Sequence, residues 1–261
     1  MQVYLATVES VKFLETMPDN YFKYGLVSYF YLKDNEEKMI KILSKVKYLL
    51  VDSGAHSFQH GKKVDIDAYT EKYLNYIRKW EDNPQVVGFF EMDVDNVIGY
   101  EKVIYFRKKM EAITDKVIPV WHKNRGIEDF IDMCKQYKGR KVSITGFGGD
   151  IVDNQYNLFV NKAHQLGCNI HVLGMTRFGL LKTLNLHQDD SFDSSTWRQT
   201  SVFGNVACPS HHGEVYRLYS LSGLRTVSNE TVVVNFCAFN KLQKIYDNID
   251  LSIYFNKKSV V

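Results

Sequence analysis

Short runs of apolar, β-branched or aromatic residues alternate along the chain with longer segments in which apolar residues recur at helical spacing. Most of the short runs are apolar at successive positions, which is typical of strands buried on both faces. They predict eight strands, the last from its position more than its composition: Gln2–Leu5, Gly25–Tyr29, Tyr48–Val51, Val86–Phe90, Val117–Val120, Lys141–Ile144, Asn169–Val172 and Ser191–Asp193.

Amphipathic helices are predicted between these strands. In Glu36–Val46 the apolar stripe is Met39, Ile40, Leu43 and Val46, and in Asp65–Trp80 it is Tyr69, Tyr73, Ile77 and Trp80. The other predicted helices are Tyr100–Ile113, Ile127–Tyr137, Asn154–Leu166 and Thr176–Leu184. Asp153 is a candidate N-cap of the helix Asn154–Leu166, and Gly167 follows the end of that helix.

Eight strands with intervening helices predict an α/β fold, a (β/α)8 TIM-type barrel. We expect one domain over residues 1–261, with the barrel over about 1–198 and a C-terminal extension over about 199–261. The extension holds two apolar runs and an amphipathic segment, and we expect it to pack on the barrel: Ser201–Ala207, Thr231–Ala238 and Lys241–Ile249.

Composition agrees with a globular protein, since 45% of the 261 residues are hydrophobic and 24% are charged. The formal net charge of +3 is only mildly basic. Three basic clusters are read either as solvated helix ends and loops or as phosphate contacts. They are Arg107-Lys108-Lys109, Lys123-Asn124-Arg125 and Lys138-Gly139-Arg140-Lys141.

The four cysteines are far apart and form no C-x-x-C pair, which favours a reducing compartment over a disulfide framework. We find no signal peptide pattern and no apolar run of the roughly 20 residues that a membrane span needs. We therefore expect a cytoplasmic protein without a membrane partner. The G-x-G-x-x-G spacing of dinucleotide sites is also absent.

The residues that follow the predicted strands carry the candidate chemistry, because barrel active sites lie at the C-terminal ends of the strands. Acids, a histidine and glycines occur there, namely Asp52, Glu91, Asp93, Asp95, His122, Gly146, Gly148, Gly149, Gly174 and Asp193. Several carboxylates on one rim favour glycosyl chemistry, in which one carboxylate attacks an anomeric carbon and another transfers a proton. For any single aspartate, a helix N-cap is the alternative.

Six short segments between residues 48 and 200 carry these residues in a fixed order. They are Asp52-Ser53-Gly54-Ala55-His56-Ser57-Phe58-Gln59, Phe90-Glu91-Met92-Asp93-Val94-Asp95, Ile118-Pro119-Val120-Trp121-His122, Thr145-Gly146-Phe147-Gly148-Gly149, His171-Val172-Leu173-Gly174-Met175-Thr176 and Phe192-Asp193-Ser194-Ser195-Thr196-Trp197. Together they resemble the tRNA-guanine transglycosylase superfamily. The similarity is greatest to its phage and bacterial branch, whose enzymes put 7-deazaguanines into DNA.

The resemblance implies an enzyme that exchanges guanine in DNA for a 7-deazaguanine, such as a preQ0 relative, through a covalent aspartyl-sugar intermediate. It implies that Asp193 is the nucleophile and that Asp52 is the acid/base. Asp93 would accept from N1–H and the exocyclic amine of the base. The other implied substrate-binding residues are Ser53, Gly54, Asp95, His122, Gly146, Gly174, Met175 and Trp197. A base held in a duplex must be flipped out to react in this way.

The sequence departs from the tRNA enzymes in one respect. They hold a structural zinc through Cys-x-Cys-x-x-Cys and a later histidine, whereas the cysteine–histidine cluster here is Cys208-Pro209-Ser210-His211-His212. We therefore expect no metal and no cofactor, and DNA rather than tRNA. A tRNA or free guanine nucleotide acceptor, a non-catalytic nucleic-acid-binding subunit and an ordinary barrel glycosidase are the alternatives. The sequence leaves open whether the protein acts alone, with a partner protein or as a homodimer.

Overall fold

The computed structural model describes residues 1–12, 14–33, 35–57, 65–145, 151–175, 177–210, 215–218 and 229–248. Its fold class is the predicted one, an α/β fold of the TIM-barrel type with parallel strands and intervening helices. Residue contacts divide the chain into a first unit, residues 6–120, and a second unit, residues 1–5 with 121–261. The single predicted domain stays a prediction, because this division does not say whether either unit folds alone.

Eleven strands, numbered along the chain, are described. They are β1 (Gln2–Ala6), β2 (Phe22–Ser28), β3 (Val46–Asp52), β4 (Val86–Phe90), β5 (Val117–Ile118), β6 (Val120–Trp121), β7 (Lys141–Thr145), β8 (Asn169–Leu173), β9 (Ser191–Ser194), β10 (Val206–Pro209) and β11 (Val215–Leu218). All eight predicted strands are confirmed to within a few residues, but the fifth is divided into β5 and β6. Pro119 stands at the break, where it has no backbone N–H to donate to a neighbouring strand.

Ten α-helices are described in the same part of the chain. They are α1 (Tyr29–Leu32), α2 (Glu36–Lys45), α3 (Ile66–Trp80), α4 (Asp95–Ile98), α5 (Tyr100–Glu111), α6 (Gly126–Gln136), α7 (Tyr156–Gln165), α8 (Phe178–Leu181), α9 (Thr196–Val202) and α10 (Asn229–Asn248). Short 3-10 turns lie between some of them. Among the described residues no helix combines the length and the apolar character that crossing a membrane requires.

In the first unit, β2, β3, β4 and β5 form a parallel sheet in that order. The predicted stripe of α3 is buried as expected, at Tyr69, Tyr73, Ile77 and Trp80. In α2 the prediction for Ile40 is wrong, because this side chain is 54% exposed. The buried position is Ile42, which lies one turn from Met39 on the same side of the helix, whereas Val46 is buried as the first residue of β3.

In the second unit, β1, β9, β8 and β7 form a parallel sheet in that order. The C-terminal segment adds α9, the antiparallel pair β10–β11 and α10. The Tyr246 ring of α10 packs edge-on against Phe192 in β9, and Gln243 Nε2 donates to the carbonyl of Val3 in β1. The extension therefore packs on this sheet, and the two predicted segments 231–238 and 241–249 belong to one helix as far as residue 248.

Two predictions about the ends of helices are wrong. Asp153 does not cap α7; it lies in a 3-10 turn and its carboxylate pairs with Arg177. The helix predicted over Thr176–Leu184 is described only as α8, because the Asn157 side chain binds the carbonyl of Thr183 and the N–H of Asn185. Those backbone groups are thereby held in a loop. Gly167 is confirmed as the residue after the helix, with φ +82°.

Candidate active site

Asp193 is the third residue of β9, close to the C-terminal end of that strand. It is paired in register with Tyr4 of β1, and two residues earlier Ser191 is paired with His171 of β8. Because alternate residues of a strand point to the same face, Asp193 and Ser191 lie on one face of the sheet with His171. The strand register of the second unit therefore assembles this cluster.

The two oxygens of the Asp193 carboxylate differ, because described residues donate hydrogen bonds to Oδ1 and none of them donates to Oδ2. Oδ1 accepts a 2.6 Å hydrogen bond from the Gly174 N–H and lies 3.2 Å from His171 Nε2. Among the described residues none donates to Oδ2. The side chain is 8% exposed. This is an anchored carboxylate with one oxygen available for bonding.

A chain of polar side chains continues behind Asp193. His171 Nδ1 lies 2.8 Å from Ser191 Oγ, and Lys141 Nζ donates to the same Oγ at 2.8 Å. His171 is fully buried, and this burial lowers the pKa of its imidazole in spite of the Asp193 charge. Removal from water also lowers the pKa of the Lys141 ammonium to about 8. Sequence reasoning placed Lys141 in a surface basic cluster and did not identify Ser191.

Asp52, the predicted acid/base, is the last residue of β3 in the first unit and is half-buried. Its Oδ2 accepts a 2.9 Å hydrogen bond from the Gly54 N–H. Gly54 has φ +79°, and a Cβ there would lie 2.9 Å from Ser28 Oγ and 3.0 Å from the Phe30 nitrogen. A glycine is therefore required at this turn. The turn places the Gly54 N–H against the Asp52 carboxylate and so helps to fix the position of that carboxylate.

Tyrosines from α3 support the backbone around Asp52. Ser53 is fully buried, and its carbonyl accepts a 2.7 Å hydrogen bond from the Tyr69 hydroxyl. The Tyr73 hydroxyl donates to the carbonyl of Phe90 at 3.0 Å. Burial and the nearby Asp52 charge both raise the pKa of Tyr73 well above its ordinary value. These phenols therefore stay protonated and act as donors to the strand ends.

Glu9 is an acid of the first unit that the sequence analysis missed. It lies in the 3-10 turn Val8–Ser10 after β1 and is 3% exposed. Its Oε2 has no hydrogen-bond partner among the described residues. Burial raises the pKa of this carboxyl to about 7, and the Asp52 charge adds a smaller contribution in the same direction. The rule that identified the other acids, a carboxylate shortly after a strand, would also have identified Glu9.

The acids that follow β4 have different surroundings. Glu91 is fully buried, and its carboxylate binds Arg107 through two hydrogen bonds of 2.6 and 3.1 Å and the Val120 N–H through one of 2.6 Å. Glu91 is therefore a structural ion pair, and Arg107 is not a surface cation. Asp93 is half-buried, whereas Asp95 is buried at the start of α4 and accepts from the Asn96 N–H at 3.0 Å.

The remaining predicted site residues are described one by one. Gly174 has φ +69° and donates its N–H to Asp193 Oδ1, so it contacts the predicted nucleophile directly. Met175 and Trp197 are fully buried, and the Trp197 ring packs edge-on against Phe236 of α10. Trp197 is thus part of the core rather than an open stacking surface. His122 is buried after β6, and Gly146 lies outside the described residues.

One further cluster in the second unit has the donor atoms of a metal site. Ligand atoms of His164, His187 and Asp190 lie within 4.8 Å of one another. Asp190 is fully buried, and its Oδ2 is 2.8 Å from His164 Nε2 and accepts from the His187 N–H at 2.6 Å. These bonds and one from the Ile170 N–H fix the chain just before β9. The cluster therefore has a structural role.

A surface pocket in the first unit, with a volume of about 220 Å³, is lined mainly by α3 and includes Lys72, Lys79 and Trp80. It contains none of the predicted site residues.

No protein-family model matches the chain, and a search of curated proteins finds no match. The assignment of function therefore depends on the residues themselves and on the geometry around them.

Proposed function

We propose that this protein is a guanine transglycosylase that exchanges guanine in DNA for a 7-deazaguanine base. The observation that carries the proposal is the Asp193 carboxylate near the end of β9, with Oδ1 held by the Gly174 N–H and Oδ2 without a donor among the described residues. A nucleophilic carboxylate in a glycosyl transfer needs such an oxygen and an orientation set by its surroundings.

In the first half-reaction, Asp193 Oδ2 attacks C1′ of the target nucleotide. A C1′–O bond forms as the C1′–N9 bond breaks, and the bonding pair leaves with guanine. A proton delivered by an acid neutralises the departing base, and the proposal assigns this proton to Asp52. The product is an aspartyl-sugar ester that preserves the nucleic-acid backbone.

In the second half-reaction, N9 of the 7-deazaguanine attacks the same C1′. The N9 proton moves to the Asp52 carboxylate, the new C1′–N9 bond forms, and the ester oxygen leaves as the Asp193 carboxylate. The protons lost and gained by Asp52 balance over the cycle, so this scheme needs no redox or nucleotide cofactor. Asp93 is assigned to the donor edge of the base, because a carboxylate can accept from N1–H and the exocyclic amine.

The acceptor in this proposal is DNA, and the target nucleotide is flipped out of the duplex before it reacts. The proposal rests on the resemblance to the DNA-modifying branch. A tRNA or a free guanine nucleotide would undergo the same chemistry, so the choice of acceptor has to be made by experiment.

The test is a base-exchange assay with labelled 7-deazaguanine bases, including preQ0, against duplex DNA, tRNA and guanine nucleotides separately. We expect incorporation into DNA with stoichiometric release of guanine. Asp193→Ala should abolish incorporation and the covalent protein–DNA adduct, with an unchanged circular dichroism spectrum. Asp52→Ala should slow both half-reactions by about 100-fold or more, as for loss of a general acid/base.

Three results would contradict the proposal in different ways. Near-normal exchange by Asp193→Ala would remove the assigned nucleophile. Guanine release without incorporation would indicate a glycosidase. Tight DNA binding without any trapped adduct would indicate a non-catalytic nucleic-acid-binding subunit.

A further inference from the structure

We infer that His171 is a positioning residue that holds Asp193 by donating Nε2–H to Oδ1, in a tautomer that Lys141 sets through Ser191. The cluster consists of Lys141, Ser191, His171 and Asp193, and its polar atoms are joined at 2.8, 2.8 and 3.2 Å. The consequence for the reaction rate rests on the proposed function. The tautomer and its effect on the Asp193 carboxylate do not.

The direction of each hydrogen bond follows from Lys141, the donor at the end of the cluster farthest from Asp193. A lysine ammonium has three donors and no acceptor, so Lys141 Nζ donates to Ser191 Oγ. The Ser191 hydroxyl hydrogen is then directed to its other close neighbour, His171 Nδ1. Nδ1 therefore accepts, and in the neutral imidazole the proton is on Nε2, which faces Asp193 Oδ1.

The burial of His171 excludes the other arrangements. The ring is fully buried, and burial keeps its pKa low, so the imidazole is neutral rather than doubly protonated. The opposite tautomer would direct the Nε2 lone pair at the Asp193 carboxylate and would leave the Ser191 hydroxyl hydrogen without an acceptor among the described residues. Unpaired polar contacts of this kind are costly in a low-dielectric interior. One tautomer is thus stable here.

The same geometry excludes a direct proton-transfer role for His171. Nδ1 is occupied by Ser191, and Nε2 carries the hydrogen that binds Asp193, so neither nitrogen can take a proton from a substrate. His171 instead acts through Asp193. Two donors on Oδ1, from His171 and Gly174, stop the carboxylate from rotating. Oδ2 is then the attacking oxygen.

The first experiment is ¹⁵N NMR of histidine-labelled protein without substrate. We expect a neutral His171 protonated at Nε2 in the wild type. Lys141→Met should produce a mixture of tautomers, because Ser191 then has no obligatory donor. Lys138→Met, an exposed lysine three residues earlier, is the matched control and should leave the His171 signals unchanged. A wild-type signal from Nδ1–H would overturn the inference.

The second experiment replaces the imidazole and measures Asp193 itself. His171→Leu removes the donor, whereas in His171→Gln an amide N–H can occupy the place of Nε2–H. In ¹³C NMR spectra of aspartate-labelled protein we expect the Asp193 carboxyl signal to move in His171→Leu and to stay near its wild-type position in His171→Gln. Lys138→Met, the exposed control of the first experiment, should leave this signal unchanged.

The third readout is the rate of covalent adduct formation in a single turnover. We expect His171→Leu to lower this rate about 100-fold with little change in KM, and His171→Gln to recover most of it. An adduct rate equal to that of the wild type and an unmoved Asp193 carboxyl signal in His171→Leu would overturn the inference. If His171→Leu does not fold, the His171→Gln variant and the tautomer measured in the wild type still test the inference. If the wild type has no exchange activity, the proposed function fails while both NMR results still test the cluster.

Discussion

At the scale of single residues, Glu91 and Asp193 show how the surroundings of a carboxylate decide what it can do. Both are buried acids at the ends of strands. Glu91 is neutralised by Arg107 and the Val120 N–H, which together occupy both of its oxygens. Among the described residues, the donors to Asp193 bind one oxygen only. A carboxylate whose two oxygens both accept hydrogen bonds stabilises the fold, whereas one with an oxygen that no described residue binds can also react.

Glu9 gives a prediction at this scale. Its folded-state pKa of about 7 lies above the ordinary value of 4.5, so the folded state binds this proton more tightly than the unfolded state. The stability contributed by Glu9 is therefore present below about pH 4.5 and is lost as the pH rises through 7. Relative to Glu9→Gln, the wild type should lose about 3 kcal/mol of unfolding free energy over this range, measured by urea denaturation.

The control for this prediction is Glu15→Gln in the next 3-10 turn. Glu15 is exposed, and Lys41 lowers the pKa of its carboxyl, so the linkage has the opposite sign. Stability contributed by Glu15 is lost as the pH falls. An equal pH profile for the wild type and Glu9→Gln would show that the Glu9 carboxyl titrates as it does in the unfolded chain.

At the scale of elements, α3 is the helix that supports the strand ends of the first unit through Tyr69 and Tyr73. Its start is determined locally, because the Asp65 side chain accepts a 3.1 Å hydrogen bond from the Ala68 N–H. A cap of this kind satisfies an N–H group that has no partner within the helix.

Asp65→Ala should therefore lower the unfolding free energy by about 1 kcal/mol, because the Ala68 N–H loses its acceptor. Asp65→Asn keeps an oxygen in the same place and should stay within a few tenths of a kcal/mol of the wild type. Thermal and urea denaturation measure the difference. If the alanine and asparagine variants are equally destabilised, charge at the helix start matters and the cap does not.

At the scale of the whole molecule, α10 links the last described part of the chain to its beginning. Gln243 of α10 binds the carbonyl of Val3, 240 residues earlier, and Tyr246 packs edge-on against Phe192 of β9. The helix therefore packs against β1 and β9, the second of which carries Asp193. Within the second unit, a change that destabilises α10 is therefore expected to destabilise β9 and the surroundings of Asp193 as well.

This coupling predicts a large effect of Tyr246→Ala. The ring is 1% exposed, and its loss leaves a cavity beside β9 that should lower the unfolding free energy by about 3–5 kcal/mol. Val234→Ala in the same helix is the control, since Val234 is 47% exposed and a change there should cost less than about 0.5 kcal/mol. Similar losses in the two variants would mean that α10 contributes no core packing at Tyr246.

The local pattern of the sequence determined the strands, most of the helices and the position of Asp193 at the end of a strand, because periodicity and capping act between residues close in the chain. Errors occurred where distant side chains intervened. Asn157 binds the backbone of Thr183 and Asn185, which ends a predicted helix early, and Arg107 neutralises Glu91. Neither contact has a signal in the spacing of residues.

Only the tertiary structure decided how the Asp193 carboxylate is held. Lys141, His171 and Ser191 belong to three strands, and they meet because the register of β7, β8 and β9 aligns alternate residues on one face. Register is set by packing and backbone pairing across the sheet rather than by the order of residues within a strand. The sequence by itself therefore identified an aspartate in a strand, and the fold made it a carboxylate with one anchored oxygen and one that no described residue binds.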